Sequence, residues 1–76
     1  MSLKEAIVKS VESAPDGIAF ISVSEFSLMI SRLVNIVHEQ DKTLVISNKG
    51  EDVAVVLSYD QYIERVIGVK KNREEE

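Results

Sequence analysis

The first pattern of apolar and polar positions along the chain predicts an amphipathic helix. Its apolar residues recur every three or four positions, so they would share one helical face; they are Leu3, Ala6, Ile7, Val11 and Ala14. Ser2 and Glu5 have the spacing of a capping box, and Pro15-Asp16-Gly17 is a strong turn signal. We therefore predict a helix over residues 2–14 that ends at this turn.

An apolar segment, IAFIS at residues 18–22, predicts a short strand that leads directly into a second helix. Ser22 and Glu25 again have capping-box spacing. Ile21, before the cap, and Phe26, at the fourth helical position, have the arrangement of a hydrophobic staple. The chain is therefore expected to turn sharply into a helix at Ser22.

This second helix is expected to run without a break to about Glu39, and it is apolar over most of its circumference. The first helix has a free apolar stripe, so packing the two helices together, in the same chain or between partner chains, would cover the excess apolar surface of both. The alternative is that the first helix projects and serves as a docking surface for a partner protein. The residues expected to meet are Leu3, Ile7 and Val11 on the first helix and Leu28, Met29 or Ile36 on the second.

The next two apolar segments predict a β-hairpin. Residues 43–47 and 52–58 are rich in β-branched side chains, and between them lies Asn48-Lys49-Gly50, whose residues tolerate the positive φ of a tight turn. Every position from Val53 to Leu57 is apolar, which is typical of a strand covered on both faces.

A last amphipathic helix is predicted after the hairpin. Ser58 and Gln61 repeat the capping spacing, and Gly68 is placed to end the helix in the left-handed conformation. Its apolar face comprises Tyr59, Tyr62, Ile63, Val66 and Ile67. Together the elements predict an α+β fold of order α-β-α-β-β-α, with a small antiparallel sheet packed on helices.

Composition limits what can stabilise so small a fold. The 76 residues include no Cys and one His, His38, so neither a disulfide nor a zinc site within one chain is expected. His38 lies near a predicted helix end and is expected at the surface. A monomer of this size would be only marginally stable. Because Val53–Leu57 also needs cover on both faces, we predict a symmetric homodimer.

The formal net charge of −4 shows no broad basic footprint for nucleic acid. Arg32, Lys42 and Lys49 could still form a local phosphate-binding patch in a dimer, or they could simply be solvated beside neighbouring carboxylates. No nucleophile–base set, phosphate-binding Gly loop or metal-ligand cluster is visible, so we expect no enzyme, no metal and no cofactor. No apolar run approaches ~20 residues, and the first residues are too polar for a signal peptide, which predicts a cytoplasmic protein.

Three stretches make the chain resemble the Phd/YefM antitoxin family: ISVSEF at residues 21–26, ISR at 30–32, and VISNKGEDVAVVLSYDQY at 45–62. The resemblance implies a homodimer that binds operator DNA, and a C-terminal segment that folds on a partner toxin. If the dimer binds DNA, we expect Arg32 and Lys49 to contact it, with Ser22 and Ser24 near the phosphates at the helix start. The expected toxin-binding residues are Ile63, Ile67 and Val69.

The chain departs from that family in ways that bear on function. A helix and turn over residues 1–17 precede the family-like domain of residues 18–68, and the charged tail of residues 69–76 is shorter than is usual in the family. At the position after the SEF motif, where the family usually has a basic residue, this chain has Ser27. Other family positions that are usually polar or acidic are apolar: Leu28, Met29 and Ile36.

Two functions are compatible with these residues. The first is an antitoxin that neutralises a partner toxin and represses its own operon by binding DNA. The alternative is a diverged dimer of the same fold, which acts as a protein-interaction or structural module without DNA or toxin binding. Salt-dependent binding to upstream DNA, and a neighbouring gene for a small toxin-like nuclease, would distinguish them.

Overall fold

The structure, a computed structural model, describes residues 2–68. The chain forms helix α1, strand β1, helices α2 and α3, the hairpin of strands β2 and β3, and helix α4, which continues as a π-helical turn. Their bounds are Leu3–Glu12 (α1), Ile18–Ser22 (β1), Val23–Leu28 (α2), Ile30–Gln40 (α3), Thr43–Asn48 (β2), Glu51–Val56 (β3), Tyr59–Tyr62 (α4) and Ile63–Ile67 (π-helical turn).

The three-stranded sheet is mixed, so the prediction of an antiparallel sheet was wrong for one of its two pairings. The strand order is β1-β2-β3, with β1 parallel to β2 and β2 antiparallel to β3. Two helices lie between β1 and β2, and such a crossover returns the chain to the end where β1 began, which makes the pairing parallel. The hairpin has the expected turn, with Lys49 at φ 54° and Gly50 at φ 82°.

The predicted continuous helix is interrupted at Met29, whose φ of −152° and ψ of 52° lie outside the helical region. The Met29 amide donates a hydrogen bond to the Phe26 carbonyl (3.2 Å), which closes the last turn of α2. Phe26 and Met29 pack against the core from one side of the break, and Leu33 is fully buried on the other. The break at Met29 therefore divides the predicted helix into α2, whose Phe26 packs against the core, and α3, whose Leu33 lies within it.

Helix α1 is part of the core. The Ser2–Glu5 capping box is confirmed, since Ser2 Oγ accepts from the Glu5 amide and Glu5 Oε1 accepts from the Ser2 amide, both at 3.1 Å. Ile7, Val8 and Val11 are buried in one cluster with residues of α3, β1 and β2: Leu33, Ile36, Val37, Ala19, Ile21, Leu44 and Ile46.

The expected contacts between this helix and the next ones are confirmed only in part. Ile7 and Val11 share the core with Ile36, and Met29 packs against it. Leu3 and Leu28 were expected in this packing, but they remain 59% and 48% exposed. Leu3 lies in the first turn of α1 and Leu28 in the last turn of α2, where neither side chain is covered by another element.

Polar contacts hold the end of α1 against the chain that leads into β2. Gln40 Nε2 donates to Glu12 Oε2 (3.2 Å), and Lys42 Nζ donates to the Glu12 carbonyl (3.0 Å). The Thr43 amide donates to the Gly17 carbonyl (2.7 Å) just before β1 begins. These bonds fix both ends of the turn that follows α1, so the helix cannot swing freely from the domain.

One face of the sheet packs on the helices, and the other is open and apolar. The register places Phe20 of β1, Val45 of β2 and Val55 of β3 in one row across the open face. Phe20 is 64% exposed and Val55 is 56% exposed, while Val45 is half-buried. Within a single chain β3 is therefore an edge strand with one uncovered face. The predicted cover of Val53–Leu57 on both faces would need a second chain and stays a prediction.

The last helix is attached to the sheet by a buried glutamine. Ser58 Oγ accepts from the Gln61 amide (3.1 Å), which confirms the predicted cap. The Gln61 side chain turns to the start of β2, where it accepts from Thr43 Oγ1 (3.2 Å) and donates to Asp41 Oδ1 (3.1 Å). Gly68 at φ 86° ends the π-helical turn, and its amide donates to the Ile63 carbonyl (2.9 Å).

Candidate functional site

Three of the four predicted DNA-binding residues lie at one end of the sheet. Ser22, the last residue of β1, is paired with Ser47 of the parallel strand β2, and Lys49 follows two residues later in the hairpin turn. Ser24 is in the first turn of α2, directly after Ser22. The parallel pairing of β1 and β2 brings these three residues to the same end of the sheet, because both strands finish there.

The Ser22 hydroxyl is engaged in local structure. It accepts from the Glu25 amide (3.1 Å) while Glu25 Oε1 accepts from the Ser22 amide (3.1 Å), so the second predicted capping box is confirmed. Ser22 is half-buried, whereas Ser24 is exposed and its carbonyl accepts from Ser27 Oγ (2.8 Å). Of the two serines, Ser24 offers the more accessible hydroxyl.

The structure groups Arg32 with helix α1. Arg32 is exposed in the first turn of α3 and lines an open groove between α1 and α3. Lys4 and Lys9 of α1 line the same groove. Lys49, by contrast, lies at the hairpin turn. The sequence analysis did not select Lys4 and Lys9, because on an isolated amphipathic helix they read as ordinary solvated residues.

Two of the three predicted toxin-binding residues, Ile63 and Ile67, lie on the C-terminal helical segment. Ile63 is half-buried and Ile67 is about half exposed, while Val69 lies outside the described residues. Other large side chains of this segment that are substantially exposed are Tyr59, Tyr62 and Val66. Their period of three to four residues was visible in the sequence. What the sequence could not show is that no described element covers this face.

No described feature points to catalysis or to a metal. Within residues 2–68 no group of three or more His, Cys, Asp and Glu side chains is placed to hold a metal ion, and no buried polar side-chain atom lacks a partner. His38 is exposed in the last turn of α3, as predicted. In the described part of the chain no helix is both long and apolar enough to cross a membrane.

Comparison with protein-family models places residues 18–66 in one family, described as antitoxin Phd_YefM of type II toxin–antitoxin systems. The matched range begins at β1 and ends in the π-helical turn, so α1 lies outside it. The comparisons with curated proteins and with solved structures gave no match.

Proposed function

Because the chain belongs to the Phd/YefM family of type II antitoxins, we propose that it is the antitoxin of such a module. In this proposal the protein forms a homodimer, neutralises a partner toxin and represses its own operon by binding DNA. The family match over more than half of the chain carries the proposal. The open sheet face supports the homodimer, and the exposed C-terminal helical face supports toxin binding. The cations of the dimer support DNA binding.

The open face of the sheet supports the homodimer. Phe20, Val45 and Val55 form a row there, and Ile18 and Val53 are also about half exposed. Fully burying such a side chain contributes about 1.5–3 kcal/mol, so each half-exposed one would add about 1 kcal/mol on association. We propose that residues 18–68 form the dimerising domain, with residues 1–17 added before it and residues 69–76 as a charged tail.

The C-terminal helical segment supports toxin binding. Its exposed side chains repeat every three to four residues, which is the pattern of a helix that lies in an apolar groove of a partner. Ile63 and Ile67 are four residues apart and would face the toxin together. Val69 would extend this contact. The buried Gln61 fixes the direction in which the segment leaves the sheet, because its side chain bonds both Thr43 and Asp41.

The serines and the lysine at the end of the sheet, together with Arg32, support DNA binding. Ser24 and Lys49 would contact phosphates at that end, with Ser22 beside them, and a two-fold dimer would present each contact twice. The net charge of −4 leaves few cations, so binding would be weak and steeply dependent on salt. The same charge favours the alternative function, a dimeric interaction module that binds neither DNA nor toxin.

Two purified-protein measurements separate these functions. The antitoxin should co-elute with the small protein encoded beside its gene, and an Ile63→Asp, Ile67→Asp variant should not. A matched Leu28→Asp variant, changed at an exposed leucine on α2, should still co-elute. Fluorescence anisotropy should show salt-dependent binding to the DNA upstream of the gene. Absence of both complexes would favour the interaction module instead.

A further inference from the structure

An open groove of about 300 Å³ lies between α1 and α3, and cations from both helices surround it. Lys4 and Lys9 come from α1 and Arg32 from α3. The apolar side chains that line it are Val8, which is buried, and Met29, which packs on the core. The groove exists only because α1 is docked on the domain through the core residues Ile7, Val8 and Val11.

The three cations are available to a ligand. All three residues are exposed, and within residues 2–68 none of their side chains makes a hydrogen bond or an ion pair. Lys42 is different, because its Nζ donates to the Glu12 carbonyl (3.0 Å) and so holds α1 in place. The groove lysines therefore have no partner within residues 2–68, whereas Lys42 does.

Two carboxylates, Glu5 and Glu12, also line the groove and leave its lining with a charge of +1 (three cations, two anions). Each carboxylate has a hydrogen-bond donor elsewhere. Glu5 Oε1 accepts from the Ser2 amide, and Glu12 Oε2 accepts from Gln40 Nε2. Neither is therefore held against the lysines, although both weaken the attraction for an anion.

We propose that this groove contacts the phosphate backbone of duplex DNA through Lys4, Lys9 and Arg32. The inference rests on the proposed DNA binding, and it assigns part of that binding to a helix outside the family-matched range. Lys4 and Lys9 are five residues apart, about 7.5 Å along the helix axis. They are also about 140° apart around the helix, so they do not form one row along it and would reach phosphates from two sides of the groove.

The added helix would then replace positive charge that the domain lacks. Ser27 stands after the SEF motif, so α2 has no basic residue in its last turn. A two-fold dimer would carry two grooves and six groove cations. Non-specific attraction to phosphates needs little more than cations on one surface, so the groove is expected to set affinity and salt dependence, while base readout would come from elsewhere.

Fluorescence anisotropy with a labelled duplex from the region upstream of the gene tests the groove. A Lys4→Ala, Lys9→Ala dimer loses four cations, so the slope of log K against log salt should become shallower by about 3 to 4. Arg65→Ala is the control, since this exposed arginine lies on the π-helical turn and does not line the groove; it should keep the wild-type slope. Circular dichroism of each variant checks that the fold is retained.

A second variant, Glu12→Gln, should strengthen binding to the duplex. Glu12→Gln removes a negative charge at the groove but keeps an oxygen that can accept from Gln40. Affinity for the duplex should rise by roughly threefold to tenfold, because each dimer loses two charges that repel phosphates. Unchanged or weaker binding by this folded variant would contradict a phosphate ligand at the groove.

The outcomes distinguish the inference from the function on which it rests. If the wild-type protein binds no duplex at low salt, the proposed DNA binding fails and the inference fails with it. If it binds and the double lysine variant has the same slope as the wild-type protein and Arg65→Ala, only the groove inference is overturned. Binding to anionic lipid vesicles through the same lysines, without DNA binding, would assign the groove to a membrane surface and overturn it as well.

Discussion

Replacing Ile7 by alanine should remove a large part of the stability of this protein. Ile7 is 4% exposed in the cluster that α1 forms with α3 and the sheet. Truncating a buried isoleucine to alanine costs about 2–5 kcal/mol, because the transfer energy of the lost atoms and the cavity left behind add. A chain of this length has a total free energy of unfolding of roughly 4–11 kcal/mol, so about half of it could be lost.

Leu3→Ala is the matched control for this change. Leu3 lies on the same helix one turn earlier, but it is 59% exposed and outside the core cluster. The substitution should change the free energy of unfolding by no more than about 0.5 kcal/mol, as surface substitutions usually do. The two variants therefore differ in burial while they share the helix and its capping box.

Thermal unfolding followed by circular dichroism measures the difference. For a domain of this size 1 kcal/mol shifts Tm by about 4–8 °C, so Ile7→Ala should lower Tm by about 10 °C or more. All samples must have the same protein concentration, because association stabilises the folded state. If Ile7→Ala and Leu3→Ala have the same Tm, α1 does not pack on the domain and would instead be a docking element for a partner.

Three further changes test other parts of the structure. Phe20→Ser on the open sheet face should shift sedimentation from dimer to monomer, whereas Leu28→Ser should leave the dimer intact; a dimeric Phe20→Ser protein would exclude this face from the interface. Gly50→Ala should cost about 1 kcal/mol in urea unfolding, because a Cβ meets no atom there and only the left-handed backbone is unfavourable. Gln61→Ala should lower the urea midpoint and increase proteolysis after β3, because two side-chain hydrogen bonds hold α4 to the sheet; unchanged proteolysis would show that α4 is held in another way.

The helix starts could be predicted because the interactions that form them are local. Ser2, Ser22 and Ser58 each cap a helix through a backbone amide three residues later, and the spacing is visible in the sequence. The hairpin turn is local in the same sense, since Lys49 and Gly50 adopt the positive φ that the turn residues indicated.

The features that were predicted wrongly depend on distant contacts. No Gly or Pro lies at the break after α2, so the sequence carries no local signal for it. Met29 leaves the helical conformation there, and residues of both α2 and α3 pack on the same core. The parallel pairing of β1 with β2 follows from the crossover of these two helices. The basic groove was not predicted because Lys4 and Lys9 meet Arg32 only after α1 docks.

The most direct test of the proposed antitoxin role is rescue of growth. The small protein encoded beside the gene is expressed in a bacterial host from an inducible promoter, with this chain supplied from a second plasmid. Wild-type chain should restore growth, and so should Leu28→Asp. An Ile63→Asp, Ile67→Asp variant should fail to do so at equal expression. If the neighbouring protein arrests growth and the wild-type chain does not relieve the arrest, the protein is not its antitoxin.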